Sequence, residues 1–285
     1  MKFTSNIKTF FYGFCLGLSL LPPGFSTATM AIILGIYEAL INLLSDLFSS
    51  KVKSTLKTIL LLGIGALTAI FLFSQVISSA MNSFSLQTIS FFLGMIIATA
   101  PLLYKQADVK SNFKGKHFVV TLLAFSITLI FIFYQNLSLI DLSGEISFGK
   151  IIFLILVGML VSSSMILPGL SGALILMLLG VYHFLMDSIS TLNVVVLGNV
   201  MLGGVLGLFL CGRLIKYLIA KHENTMNAIS IGLVLGSIPV VVVREILNAD
   251  VSLDAIGIIT SLLLGGLGFV LVHALSSKLT SGEGN

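Results

Sequence analysis

Pro23-Gly24-Phe25-Ser26-Thr27-Ala28 runs on to Leu34-Gly35-Ile36-Tyr37, and Pro168-Gly169-Leu170-Ser171-Gly172-Ala173 runs on to Leu179-Gly180-Val181-Tyr182. Over the 15 positions from Pro to Tyr the two stretches share seven residues: Pro, Gly, Ser, Ala, Leu, Gly and Tyr. Chance in a composition this apolar supplies about one or two. The chain therefore reads as two copies of one unit. Each copy carries a helix-breaking Pro-Gly inside an apolar stretch, which in membrane proteins is the best sequence pointer to a transport site near the bilayer midplane.

Of 285 residues 57% are hydrophobic and 9% charged, and the mean hydropathy is +1.14. A soluble fold of that composition lacks the polar surface to cover itself, so the chain reads as an integral membrane protein. Twenty-seven glycines and the absence of long alternating segments favour a helical bundle with close backbone approach over a β-barrel. Cys15 and Cys211 are far apart, lack metal-ligand spacing and read as small core residues. The net charge of +4 sits in short loops and forms no continuous stripe, so no nucleic-acid partner is expected. Lys2 and Lys8 ahead of an apolar run imitate a secretory signal. Recurrence of the same element around residue 168 makes the first copy mature structure instead.

Apolar segments fall at about 9–21, 26–44, 56–79, 86–104, 117–135, 150–167, 170–187, 193–218, 226–243 and 256–277. A crossing of about 30 Å needs roughly 20 helical residues. The first segment is too short and suggests a half-helix turning at Pro22-Pro23-Gly24. A hairpin contributes zero or two crossings, so each half crosses an odd number of times and the second starts from the opposite face. The expected fold is thus all-α: a polytopic membrane helical bundle of two inverted-topology repeats, residues 1–140 and 141–285. Each repeat has a Pro-Gly-broken, re-entrant helix pair plus three transmembrane helices. Placing both termini in the cytoplasm leaves only Lys150 and Arg244, of 15 Lys and Arg, outside.

A broken helix in a bilayer leaves backbone N–H and C=O groups that only protein or a water-filled cavity can satisfy. Ser26, Thr27 and Thr29 in the first copy and Ser171 in the second lie where a new helix begins, and a helix start attracts anions. Inverted copies bring two such ends together around one phosphate or carboxylate without a buried lysine. A single break with hydroxyls often serves only kinking and packing; the duplication favours a shared site. Glu38, twelve residues past Ser26, falls near the cytoplasmic surface on a continuous helix. Asn199 reads as an interhelical hydrogen-bonder, and Gly203 with Gly207 and Gly232 with Gly236 as close helix contacts.

The two Pro-Gly-x-Ser elements with their Leu-Gly-x-Tyr sequels, their spacing and the chain length resemble the bacterial PopT family, polyprenyl-phosphate transporters once classed as a domain of unknown function. The first element departs from that family's pattern at Leu20, Thr27 and Ala28. The resemblance implies return of undecaprenyl phosphate from the outer to the cytoplasmic leaflet of the bacterial cell membrane, with the polyprenyl-phosphate lipid and the bilayer as partners. Phosphate-binding residues are then Gly24, Ser26, Thr27, Thr29, Gly169, Ser171 and Gly172, with Arg244 assisting capture from outside. No catalytic residue, metal or cofactor is expected, no Gly-x-x-x-x-Gly-Lys-Ser/Thr loop is present, and a homo-oligomer stays open. Two alternatives compete. One is a transporter or channel for a small anion. The other is an intramembrane serine protease built on Gly169-Leu170-Ser171-Gly172 with His273 as base, which the expected depths of the two residues disfavour.

Overall fold

The computed structural model describes residues 5–21, 25–46, 52–133, 147–191, 193–247 and 255–281, and among these there is helix and no strand. The first half comprises α1 (Asn6–Leu18), α2 (Thr27–Ile33), α3 (Tyr37–Asp46), α4 (Val52–Ser83), α5 (Ser85–Gln106), α6 (Val109–Asn112) and α7 (Gly115–Phe133). The second comprises α8 (Phe148–Ile166), α9 (Gly172–Leu178), α10 (Tyr182–Ser190), α11 (Val194–Val241), a π-helical turn (Val242–Leu247) and α12 (Ala255–Ser281). Among the described residues five helices, α4, α5, α8, α11 and α12, are long and apolar enough to cross a membrane, and α7 carries a shorter apolar stretch. Their outward faces are studded with exposed Leu, Ile, Val and Phe, as lipid-facing helices require.

The segments expected at 26–44 and 170–187 are each two short helices. In the first copy the Ile36 N–H donates to the Ala31 carbonyl and the Gly35 N–H to the Ile32 carbonyl, both at 2.9 Å, a Schellman ending with Gly35 at φ +67°. In the second, Val181 N–H donates to Leu176 C=O and Gly180 stands at φ +69°. The repeated Leu-Gly-x-Tyr is therefore a stop and restart: glycine takes the left-handed residue and tyrosine opens the next helix. This corrects the reckoning for Glu38, because no continuous helix joins it to Ser26. The segments expected at 193–218 and 226–243 form one helical element whose regularity fails at His222 (φ −137°, ψ 46°).

Equivalent helices of the two halves pack alike. A Cβ on Gly13 or Gly17 of α1 would overlap the backbone of Leu62 or Ala66 on α4, and one on Gly203 or Gly207 of α11 would overlap Ile155 or Met159 on α8. The other two seams join the halves: Gly94 of α5 lies against Gly265 of α12, while Gly232 and Gly236 of α11 lie against Thr121 and Phe125 of α7. In every seam the partners advance along both sequences together, so the paired helices run in the same direction. Small residues let these backbones touch where there is no hydrophobic drive between helices in lipid. Asn199 Nδ2 donates within its own helix, to the Val195 carbonyl at 2.7 Å, and not across a seam. An intrahelical carbonyl is always within reach of such a side chain.

Candidate functional site

Leu167 leaves α8 in an extended conformation (φ −90°, ψ 122°), and the buried Pro168 and Gly169 carry the chain toward α9. Gly169 has φ +82°, and a Cβ there would overlap the backbone of Leu233 and Val234 on α11. Both its dihedral and its packing exclude a side chain. Ser26 precedes α2 in the same extended manner (φ −94°, ψ 139°) and is 2% exposed.

The two breaks meet. The Ser26 hydroxyl donates to the Leu167 carbonyl at 3.3 Å, and the Gly169 N–H donates to Thr29 Oγ1 at 3.3 Å. Tyr37, at the restart of the first copy, donates its hydroxyl to the Ile166 carbonyl at 3.0 Å. Three polar groups freed by the end of α8 are thereby satisfied inside an apolar bundle, where leaving each unpaired costs several kcal/mol, on the order of 2–7. Because Ser26 reaches across the interface, its side chain does not cap α2.

The structure brings Ser26 and Thr29 together with Gly169. Thr27 is half-buried as the first residue of α2, and Ser171, 7% exposed, accepts from the Ile175 N–H to open α9. Gly172 turns back toward α8, where a Cβ would come within 3.0 Å of Val161 Cγ1. Gly24, with Pro22 and Pro23, lies outside the described residues. Arg244 belongs to the π-helical turn after α11, and its side chain also lies outside the description. His273 is exposed on α12, whereas Ser171 is buried at the second break.

A cavity of about 400 Å³ adjoins the first copy. The Gly35 turn, Tyr37 and Glu38 form one side; Gln106 of α5 and Glu223, Asn227 and Ser230 beyond the His222 kink form another. Among the described residues no Lys or Arg lines it. The sequence puts Glu38 near the cytoplasmic surface and offers no role for Glu223, Asn227 or Tyr37. Tyr37 carried a signal, since a tyrosine repeated inside an apolar stretch needs a partner for its hydroxyl. Glu223 carried none, because it looks like any loop charge.

A family model described as VCA0040-like, undecaprenyl phosphate translocase-like, matches residues 16–258. A polyprenyl-phosphate transporter of Staphylococcus aureus (strain NCTC 8325 / PS 47) is 31% identical over 235 residues, covering 79% of this chain and 82% of its own. A polyprenyl-phosphate transporter of Vibrio cholerae serotype O1 (strain ATCC 39315 / El Tor Inaba N16961) is 24% identical over 253 residues, covering 84% and 78%. No solved structure matches. With both breaks and most of both halves inside the matched span, this multi-pass membrane chain belongs to the undecaprenyl phosphate translocase-like family, whose polyprenyl-phosphate transporters its paired elements resemble.

Proposed function

We propose that the protein returns undecaprenyl phosphate from the outer to the cytoplasmic leaflet of the bacterial cell membrane, holding the phosphate between its two broken helices and alternating access to them. The observation that carries this reading is the cross-linking of the breaks: Ser26 to Leu167 and Thr29 to Gly169. Hydroxyls, a backbone N–H of Gly169 and the start of α2, which the Ser26 side chain does not cap, converge there, and an anion competes for donors of this kind. The lipid head group then exchanges one set of hydrogen bonds for another, while its chain never leaves the hydrocarbon. No chemical step on the lipid is required.

Inverted halves make the site two-sided. In the register of the sequence repeat α5 corresponds to the second part of α11, and α7 to α12. The contacts run α5 along α12 and α7 along the second part of α11. Because α5 and α7 are consecutive spans joined through the short α6, they run oppositely, and so each opposes its own counterpart. This supports repeats spanning residues 1–140 and 141–285 that are related by inversion, with α2–α3 and α9–α10 as re-entrant pairs. The positive-inside rule puts both termini in the cytoplasm and the cavity beside Glu38 on that side. Glu38 and Glu223 make it a poor resting place for a phosphate, which favours release there. Arg244, in the turn assigned to the outer face, attracts the incoming head group from the other side.

The test is reconstitution. Purified protein in liposomes should accelerate inward movement of a fluorescent polyprenyl phosphate, and Ser171→Leu should abolish that while the protein still purifies as a folded, monodisperse species. Normal carrier return by Ser171→Leu would remove the site from the paired breaks.

A further inference from the structure

We propose that the fold has a second closed state, in which α10 seats on α4 as α3 now seats on the first part of α11, the exchange turning on Phe84 and His222. The inference rests on the reading of the two halves as inverted repeats.

Packing sets the moving parts. A Cβ on Gly13 of α1 would overlap Leu62 of α4, and one on Gly158 of α8 would overlap Val200 of α11. Beyond Phe84 the chain takes a different partner, since Gly94 of α5 lies against Gly265 of α12. Beyond His222 it does so again, with Gly232 against Thr121 of α7. Each half therefore passes at one residue from a lateral unit into a shared bundle of α5, α7, α12 and the second part of α11. The same step along the sequence separates Leu62 from Val200, Phe84 from His222 and Gly94 from Gly232. The two crossing residues also share a backbone conformation, φ −138°, ψ 49° at Phe84 and φ −137°, ψ 46° at His222. A single residue between two helices absorbs a rotation that neither helix can.

The lateral units differ in what they touch. In the first, α3 is docked: Ile41 is buried with Ile215 of α11, a Cβ on Gly212 would lie 3.4 Å from Leu44 Cβ, and Lys216 Nζ is 3.8 Å from Asp46 Oδ1. In the second, among the described residues, α10 packs on α9 and α11 and makes no comparable contact with α4. Ile77, the counterpart of Ile215 on α4, is partly exposed. Yet the residues for the missing contact are there. In register, Ile41 and Leu44 correspond to Met186 and Ile189 of α10, and Gly212 and Ile215 to Ser74 and Ile77 of α4. The exchanged contact would set small Ser74 against Ile189, as Gly212 is set against Leu44. Inverted copies that trade conformations carry a protein between two such states.

Disulfide trapping tests the exchange in the full chain carrying Cys15→Ala and Cys211→Ala. Leu44→Cys with Gly212→Cys reports the contact seen, and Ser74→Cys with Ile189→Cys the contact proposed. Under mild oxidation in membranes each pair should bridge within one chain, read from the linked peptides, and with all four cysteines present the two bridges should exclude each other in any one molecule. Either bridge should slow inward movement of a fluorescent polyprenyl phosphate by about tenfold or more, and dithiothreitol should restore it. Spin labels at Ser74 and Ile189 give a readout that needs no bond: they should show two separations, while labels at Phe11 and Leu60, exposed within one lateral unit, show one. A single long separation between the labels at Ser74 and Ile189, a bridge of that pair only between copies, both bridges in the same molecule, or full transport by a bridged protein would each overturn the proposal. If the unbridged protein moves no polyprenyl phosphate, the transport reading fails, while the bridges and the label separations still decide the exchange.

Discussion

The two Pro-Gly elements share their pattern but not their chemistry at the point where they meet. The first presents side chains: the hydroxyls of Ser26, Thr29 and Tyr37 all point across the interface. The second presents backbone: the carbonyls of Ile166 and Leu167 and the N–H of Gly169. Position for position, Thr29 corresponds to Leu174, so the second copy has no hydroxyl with which to return that contact. The two breaks share a sequence pattern, yet where they meet one supplies side-chain partners and the other supplies backbone. Under the proposed function the phosphate would meet packed backbone on one side and rotatable side chains on the other.

The comparison is broken hardest at the scaffold. Gly169→Ala places a Cβ in a left-handed conformation and into the backbone of Leu233 at once. The dihedral alone costs about 1–2 kcal/mol and the overlap adds more, for a total of about 3 kcal/mol or above. Thermal unfolding in detergent should show a large loss of stability, with transport lost alongside it. A variant as stable as the wild type would mean that α11 yields, and that the second break is not the fixed partner.

Thr29→Val sharpens the contrast from the other side. Valine keeps the shape and removes the one hydroxyl that receives the Gly169 N–H. The buried N–H is left unsatisfied at a cost of about 1–2 kcal/mol, at the upper end of what single polar contacts contribute between membrane helices. Chemical or thermal denaturation should register that loss without a change of fold. Stability equal to the wild type would show that water reaches Gly169 and that the breaks are less dry than their burial indicates.

How far this was legible in the sequence follows from what each residue contrasts with. Pro and Gly stand out against an apolar run, so both breaks and the short first helix are legible in the sequence, as are Ser26 and Thr29, whose hydroxyls join the breaks. The spaced glycines of α11 were visible for the same reason, and they pack as read. Gly35 and Gly180 were in plain view too, yet their turns were missed, because a single glycine in an apolar stretch has the same composition whether it packs a helix or ends one. Only its dihedral tells. The cavity beside Glu38 was hidden for a different cause: Gln106, Glu223 and Asn227 come from separate helix ends, each ordinary where it stands.

The smallest effect is expected at Tyr37. Its hydroxyl donates to the Ile166 carbonyl at 3.0 Å, and the residue also borders the polar cavity. In Tyr37→Phe the ring keeps its packing and only the donor is lost. A carbonyl suffers less than an N–H from losing one partner, because it has two lone pairs and, beside a cavity, water within reach. The cost should be about 0.6 kcal/mol, the average for hydrogen bonds between membrane helices, read as a small fall in thermal stability with transport retained. A loss comparable to that of Gly169→Ala would reverse the assignment of roles. It would make the first copy's side chains the rigid part of the site and the second copy's backbone the part that follows them.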